Sequence, residues 1–161
     1  FAITLFTSFP IAIVSQKIYG TMKNQNLLKY PHQLGLICGL LALLGAMFYY
    51  VIIPLVINRG QTIGKRICHI KIVKSDGKDV GLKELLLREV LGAIIIEGVL
   101  YSASTILHQV LQISLGISLV KPMMYVGFAI TIVSAILCLV NNKEHLALHD
   151  YLARTKVVNF S

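Results

Sequence analysis

Negative charge is what this sequence has least of. Seven Asp and Glu stand against 15 Lys and Arg, charged residues fill only 14% of 161 positions, and tryptophan is absent. A water-soluble domain carries about a quarter charged residues, so the composition excludes an ordinary soluble globule. The net charge is +8, but the basic residues lie beside apolar runs rather than on an aromatic-laced polar surface. That argues against a nucleic-acid partner. Anionic lipid headgroups are the expected counter-charge. Cys38, Cys68 and Cys138 are far apart and form no CxxC pair, so neither a disulfide framework nor a zinc cluster is expected. They read as packing residues.

What is present is apolar: 56% of residues are hydrophobic and the mean hydropathy is +0.76. The reading is a single all-α polytopic membrane domain, 1–161, with about four transmembrane helices near 1–18, 33–57, 82–109 and 122–140. A basic, partly β cytoplasmic insert fills about 58–81, and a cytoplasmic tail runs over 141–161. At 1.5 Å per residue the first segment spans about 27 Å, close to a hydrocarbon core of ~30 Å. The chain opens on Phe1 rather than Met, which reads as a first helix cut short in a longer protein; a cleaved signal peptide is the alternative. Gln33 to Ile57 carries no charge and contains Gly35 and Gly39 in a GxxxG pattern. Such small residues suit close helix packing in lipid, within the chain or at a dimer face.

The insert holds Arg59, Lys65, Arg66, Lys71, Lys74, Lys78 and Lys83 against Asp76 and Asp79. Arg66 to Lys74 reads as a surface strand ended by a Ser75-Asp76-Gly77 turn, with Thr155 to Phe160 a candidate partner strand. Arg59, Lys65, Arg66 and Lys71 are candidate contacts to lipid headgroups or a partner protein. Eleven Lys and Arg fall on the insert's side: Arg59, Lys65, Arg66, Lys71, Lys74, Lys78, Lys83, Arg88, Lys143, Arg154 and Lys156. The other side has four, Lys17, Lys23, Lys29 and Lys121. Both termini are therefore expected in the cytoplasm.

Three constellations could carry chemistry. Glu97, Tyr101, Ser104 and His108 fall at i, i+4, i+7 and i+11, one stripe of a helix running over 82–109. A carboxyl near mid-bilayer must be protonated, paired or wet, so Glu97 is the candidate proton or cation group, with Arg88 as its inner-side partner. The alternative is hydrogen-bond glue to Gly127, Thr131, Ser134 and Cys138, which share that spacing on the last helix. Glu84 and Arg88, four apart, read as an ion pair. His145, His149 and Asp150 have ligand types at helical spacing, but no second cluster accompanies them and no metal site is assigned. Gly60 to Arg66 fails the phosphate-loop pattern, because its glycines are one residue too close and Arg66 stands where a hydroxyl is needed.

The run Gly60-Gln61-Thr62-Ile63-Gly64-Lys65-Arg66 with Ile70-Lys71-Ile72-Val73, the Arg88 that follows, and Leu148-His149-Asp150-Tyr151-Leu152-Ala153-Arg154-Thr155-Lys156-Val157-Val158 resemble the RDD family of small bacterial membrane proteins. Gly60, Gly64, Lys65, His149 and Asp150 are the motif positions. The family's charged residues of the first helix have no counterpart between Phe1 and Gln16. The resemblance implies a multi-pass protein of the bacterial cell membrane and a transport role in cation or proton exchange. A non-enzymatic accessory or scaffold subunit of a larger complex is the alternative. Neither reading calls for an enzyme or a cofactor, and the expected partners are anionic headgroups and a homo-oligomer or larger membrane complex.

Overall fold

The computed structural model describes residues 2–57, 60–98, 102–140 and 146–159. Helices dominate it. They are α1 (Ala2–Tyr19), α2 (His32–Met47), α3 (Ile63–Ile67), α4 (Leu82–Leu85), α5 (Ser102–Leu115), α6 (Val120–Val140) and α7 (Leu148–Ala153). Strands β1 (Ile70–Lys74) and β2 (Thr155–Asn159) form an antiparallel pair with Ile72 opposite Val157. Two helices are extended by π-wound segments, α2 by Phe48–Ile57 and α4 by Leu86–Glu97.

His32–Ile57 and Val120–Val140 are long and apolar enough to cross a membrane. The pair Leu82–Glu97 and Ser102–Leu115 makes a third if counted as one span, although it is bent by 65°. The structure therefore supports two or three of the four expected spans. The single helix expected over 82–109 is two helices, because Gly98 takes a left-handed φ of 51° and ends the π segment. Val110 to Leu115 continues α5. On α6 only Gly127 and Ser134 are buried, while Tyr125, Phe128, Ile132 and Leu139 point outward. An apolar surface of that extent suits lipid rather than water.

Packing explains the small residues of α2. A Cβ on Gly35 would lie 3.0 Å from the Leu27 carbonyl oxygen, one on Gly39 would overlap Val110 of α5, and one on Gly45 would overlap the backbone of Phe6 in α1. The GxxxG face is thus consumed inside the chain. Ile11, Leu27, Tyr30, Cys38, Ala42, Ile106 and Val110 form the core there, and Val51, Ile72, Val80 and Leu85 seat the insert against the helices.

The insert is partly β, as the sequence implies. The Thr62 side chain accepts from the Lys65 amide and starts α3, so the strand begins at Ile70 rather than Arg66. Gly77, with φ 85°, closes the turn after β1, and Asp76 accepts from the Lys78 amide. Gly60, with φ 88°, lies against the Ile72 carbonyl so closely that a Cβ would overlap it, and its own carbonyl accepts from the Ile72 amide at 2.9 Å.

Candidate functional site

Arg88 lies within the π segment Leu86–Glu97, and Asp150 and His149 lie on α7, which packs across it. Winding decides what faces what. In an α-helix Arg88 and Glu97, nine residues apart, would lie two and a half turns apart on opposite faces. The i→i+5 bonding of a π segment winds more than four residues into each turn, so nine residues make about two turns and the two side chains share a face. Gly92, between them, lets α7 approach: a Cβ there would lie 2.6 Å from the His149 Cβ.

The result is a buried polar network. The Arg88 guanidinium pairs with Asp150 Oδ1 and donates to Thr155 Oγ1 at 2.9 Å. Its Nη2 lies 3.1 Å from His149 Nε2, and its Nε 3.3 Å from Glu89 Oε1. His149 Nδ1 lies 2.8 Å from Glu97 Oε2, and the His149 backbone amide donates to Glu97 Oε1 at 3.0 Å. Ser134 of α6 donates to Glu97 Oε1 at 2.7 Å and accepts from the Leu148 amide at 2.9 Å. Glu97 ends its helical segment, so its carbonyl lacks an intrahelical donor; Thr131 Oγ1 supplies one at 2.7 Å. Lys65 reaches Glu89 Oε1 at 3.1 Å, tying the insert to the same network. Burial holds the Lys65 pKa below its ordinary value, against the opposing pull of the Glu89 carboxylate.

Several sequence expectations are redistributed. Arg88 and Glu97 do meet, through His149 rather than as a direct pair. Of the four-residue stripe, Tyr101 lies outside the described residues, Glu97 ends the π segment, and Ser104 and His108 lie on α5. Ser104 is buried with no hydrogen-bond partner for its hydroxyl among the described residues, and His108 is half-buried on α5. Glu97 does bond to the Thr131 and Ser134 positions of α6. The Glu84–Arg88 pair is not what forms, because Glu84 turns to Lys74 at 3.1 Å and caps the Gly81 amide at 2.9 Å, while α7 claims Arg88. Among insert residues, Lys71 pairs with Asp79 at 2.6 Å, Arg66 is exposed, the Gly64 amide donates to Tyr49 Oη at 3.4 Å, and Arg59 lies outside the described residues. So does His145; His149 and Asp150 face Arg88 and Glu97, and no group of three metal-ligating side chains occurs among the described residues. Glu89, Thr155 and Gly92 are members that spacing alone did not reveal.

The RDD family model matches residues 1–154. The chain belongs to the RDD family. A Bacillus subtilis (strain 168) relative bearing the name "Uncharacterized protein YckC" is 27% identical over 111 residues, 69% of this chain and 54% of that protein. The chain thus spans about half the length of the curated relative it matches. No solved structure matches. In this RDD protein the two motif neighbours His149 and Asp150 and the earlier Arg88 meet in one buried cluster. Gly60 and Lys65 brace the insert beside it.

Charge does not balance there. Arg88 and Lys65 supply two positive groups and Glu89, Glu97 and Asp150 three carboxylates, so one further proton makes the cluster neutral. A neutral His149 that donates Nδ1–H to Glu97 leaves Nε2 to accept from Arg88. A charged His149 must instead donate from Nε2, and Asp150 Oδ2 lies 3.5 Å away.

Proposed function

We propose that this RDD protein is a membrane transport protein that couples cation movement to a proton held on the Glu97–His149 pair. The observation that carries this reading is a buried cluster in which two cations face three carboxylates, with His149 set between Glu97 and Arg88. Ionisable groups within membrane helices are costly and mark ion or proton paths. In this reading Glu97 and His149 hold the proton. Arg88 and Asp150 sense it, because their pairing competes with the charged imidazole. The finer arrangement we propose has four spans, with the insert and both termini on the cytoplasmic side of a bacterial cell membrane. The Lys and Arg asymmetry supports that orientation. So few helices leave little room for a gated path within one chain, which favours a homo-oligomer.

The test is flux through proteoliposomes that contain the full-length protein, under imposed pH and sodium gradients. Glu97→Gln and His149→Gln are both expected to reduce proton-coupled flux at least ten-fold while the protein still inserts. Unchanged flux in both variants would sink the proposal. A folded wild type without flux would turn the assignment to an accessory subunit of a larger complex.

A further inference from the structure

A second feature lies at the end of α7. The turn after β1, the start of α4 and the end of α7 enclose a concavity of about 630 Å³, within the range of small-ligand sites. Its charges are not all spent. Lys74 is engaged by Glu84 at 3.1 Å, and Asp76 by Lys78 at 3.3 Å. Among the described residues the Lys83 ammonium, the Arg154 guanidinium and the Ser75 hydroxyl line the cavity without a side-chain partner. Arg154 is placed there by backbone geometry: it ends α7 in the left-handed region at φ 52°, and its carbonyl accepts from the Ser75 amide at 2.9 Å. That bond ties the turn to α7. Leu87 contributes an apolar wall where the helix enters its most hydrophobic stretch.

We propose that this concavity binds a phosphate group, carried by an anionic phospholipid headgroup or by a free phosphate ester. A guanidinium offers planar, paired donors that match phosphate oxygens, an ammonium adds a point charge, and a hydroxyl adds a third donor. The two carboxylates of the lining do not oppose an anion, because each already faces a lysine. The position links the site to the buried cluster. Arg154 lies between Ala153, the last residue of α7, and Thr155, which accepts from Arg88. A phosphate held by Arg154 and Lys83 would brace α7 against the π segment. The site rests on its own lining and does not depend on the transport reading.

The experiment compares full-length protein in nanodiscs of phosphatidylglycerol and of phosphatidylcholine, reading retained lipid by native mass spectrometry. In parallel, glycerol 1-phosphate is titrated into detergent-solubilised protein and followed by phosphorus NMR. The double variant Lys83→Gln with Arg154→Gln is expected to weaken binding about ten-fold or more. Lys23→Gln, exposed and outside the cavity, should leave it unchanged. Retention of phosphatidylglycerol alone assigns the lipid as the source, and saturation by glycerol 1-phosphate alone assigns the free ester. Equal binding by the double variant, or no saturable binding of either probe to the wild type, overturns the proposal. Both side chains are exposed, so loss of fold is not expected; Lys83→Glu is the second variant, and it should abolish binding with helicity intact.

Discussion

Arg88 and Glu97 hold opposite nitrogens of one imidazole, Nη2 lying 3.1 Å from His149 Nε2 and Oε2 lying 2.8 Å from Nδ1. Nine residues of ordinary α-helix would turn them away from each other. The π winding of Leu86–Glu97 is therefore the structural condition for the cluster. It also frees the Glu97 carbonyl for Thr131 and lets the Gly98 amide bond back to Ala93, five residues earlier, at 2.9 Å.

Gly92 is the position where this geometry is most easily broken. A methyl group there would meet His149 Cβ at 2.6 Å and its Cα at 3.0 Å, and the backbone of α7 cannot yield as a side-chain tip can. Gly92→Ala is expected to destabilise the protein by about 1–3 kcal/mol, the usual cost of overpacking. Thermal unfolding in detergent would show it as a lowered midpoint. Gly64→Ala, whose Cβ would meet only the Tyr49 hydroxyl at 3.8 Å, should leave the midpoint nearly unchanged.

Arg88 and Asp150 are each about 95% shielded from solvent, so removing one strands the other. Arg88→Met is expected to cost about 3–5 kcal/mol, because Asp150 then keeps a buried charge without its main partner. Adding Asp150→Leu should recover part of that loss. Arg88→Lys cannot reach Asp150, Thr155 and His149 together from one ammonium, and should rank nearer to Arg88→Met than to wild type. Denaturant unfolding of these four proteins, with Asp150→Leu alone as a fifth, measures the order and closes the cycle. An additive double variant would show that the pair is not coupled.

Much of this was legible in the sequence, for reasons that can be named. The uncharged run from Gln33 to Ile57 and the basic block after it fixed the membrane character. The Ile and Val of Ile70–Lys74 with the turn at Asp76-Gly77 located the sheet, and the Thr155 strand pairs where expected. Glu97 and the Thr131 and Ser134 spacing on α6 pointed to one contact that forms. What misled was the assumption of α periodicity through 82–109. With 3.6 residues per turn, Glu97 aligns with Tyr101 and Ser104, and Glu84 with Arg88. With π winding the Glu84–Arg88 alignment is lost, and Arg88 and Glu97 come together instead. No local propensity in Leu86–Glu97 announces the wider turn; it goes with the approach of α7 at Gly92, a contact some 57 residues away in the chain.

Lys65 gives a pH dependence whose sign is fixed by burial. Its pKa in the folded protein lies below the ordinary 10.5, so an unfolded chain keeps this proton at pH values where the folded one releases it. Between the lowered value and 10.5 the unfolded state binds more protons, and the contribution of Lys65 to stability rises with pH. Below that window the cost of burying the ammonium is present in full. The stability of wild type relative to Lys65→Met should therefore improve as pH increases through the alkaline range. Denaturant unfolding at a series of pH values would read it, and a flat or falling difference would contradict the assignment.

Ser134 joins α6 to the tail through both ends of one hydroxyl. It donates to Glu97 Oε1 at 2.7 Å and accepts from the Leu148 amide at 2.9 Å. Ser134→Ala removes a donor from a buried carboxylate and an acceptor from a partly buried amide, with an expected loss of about 1–3 kcal/mol. In a Glu97→Gln background the same change should cost less, since the neutral amide places a weaker demand on its donors. The resulting coupling is expected at about 0.5–3 kcal/mol. A double-mutant cycle measured by thermal and denaturant unfolding checks both numbers. Coupling near zero would mean that Ser134 serves only the Leu148 amide, and that Glu97 is held by His149 alone.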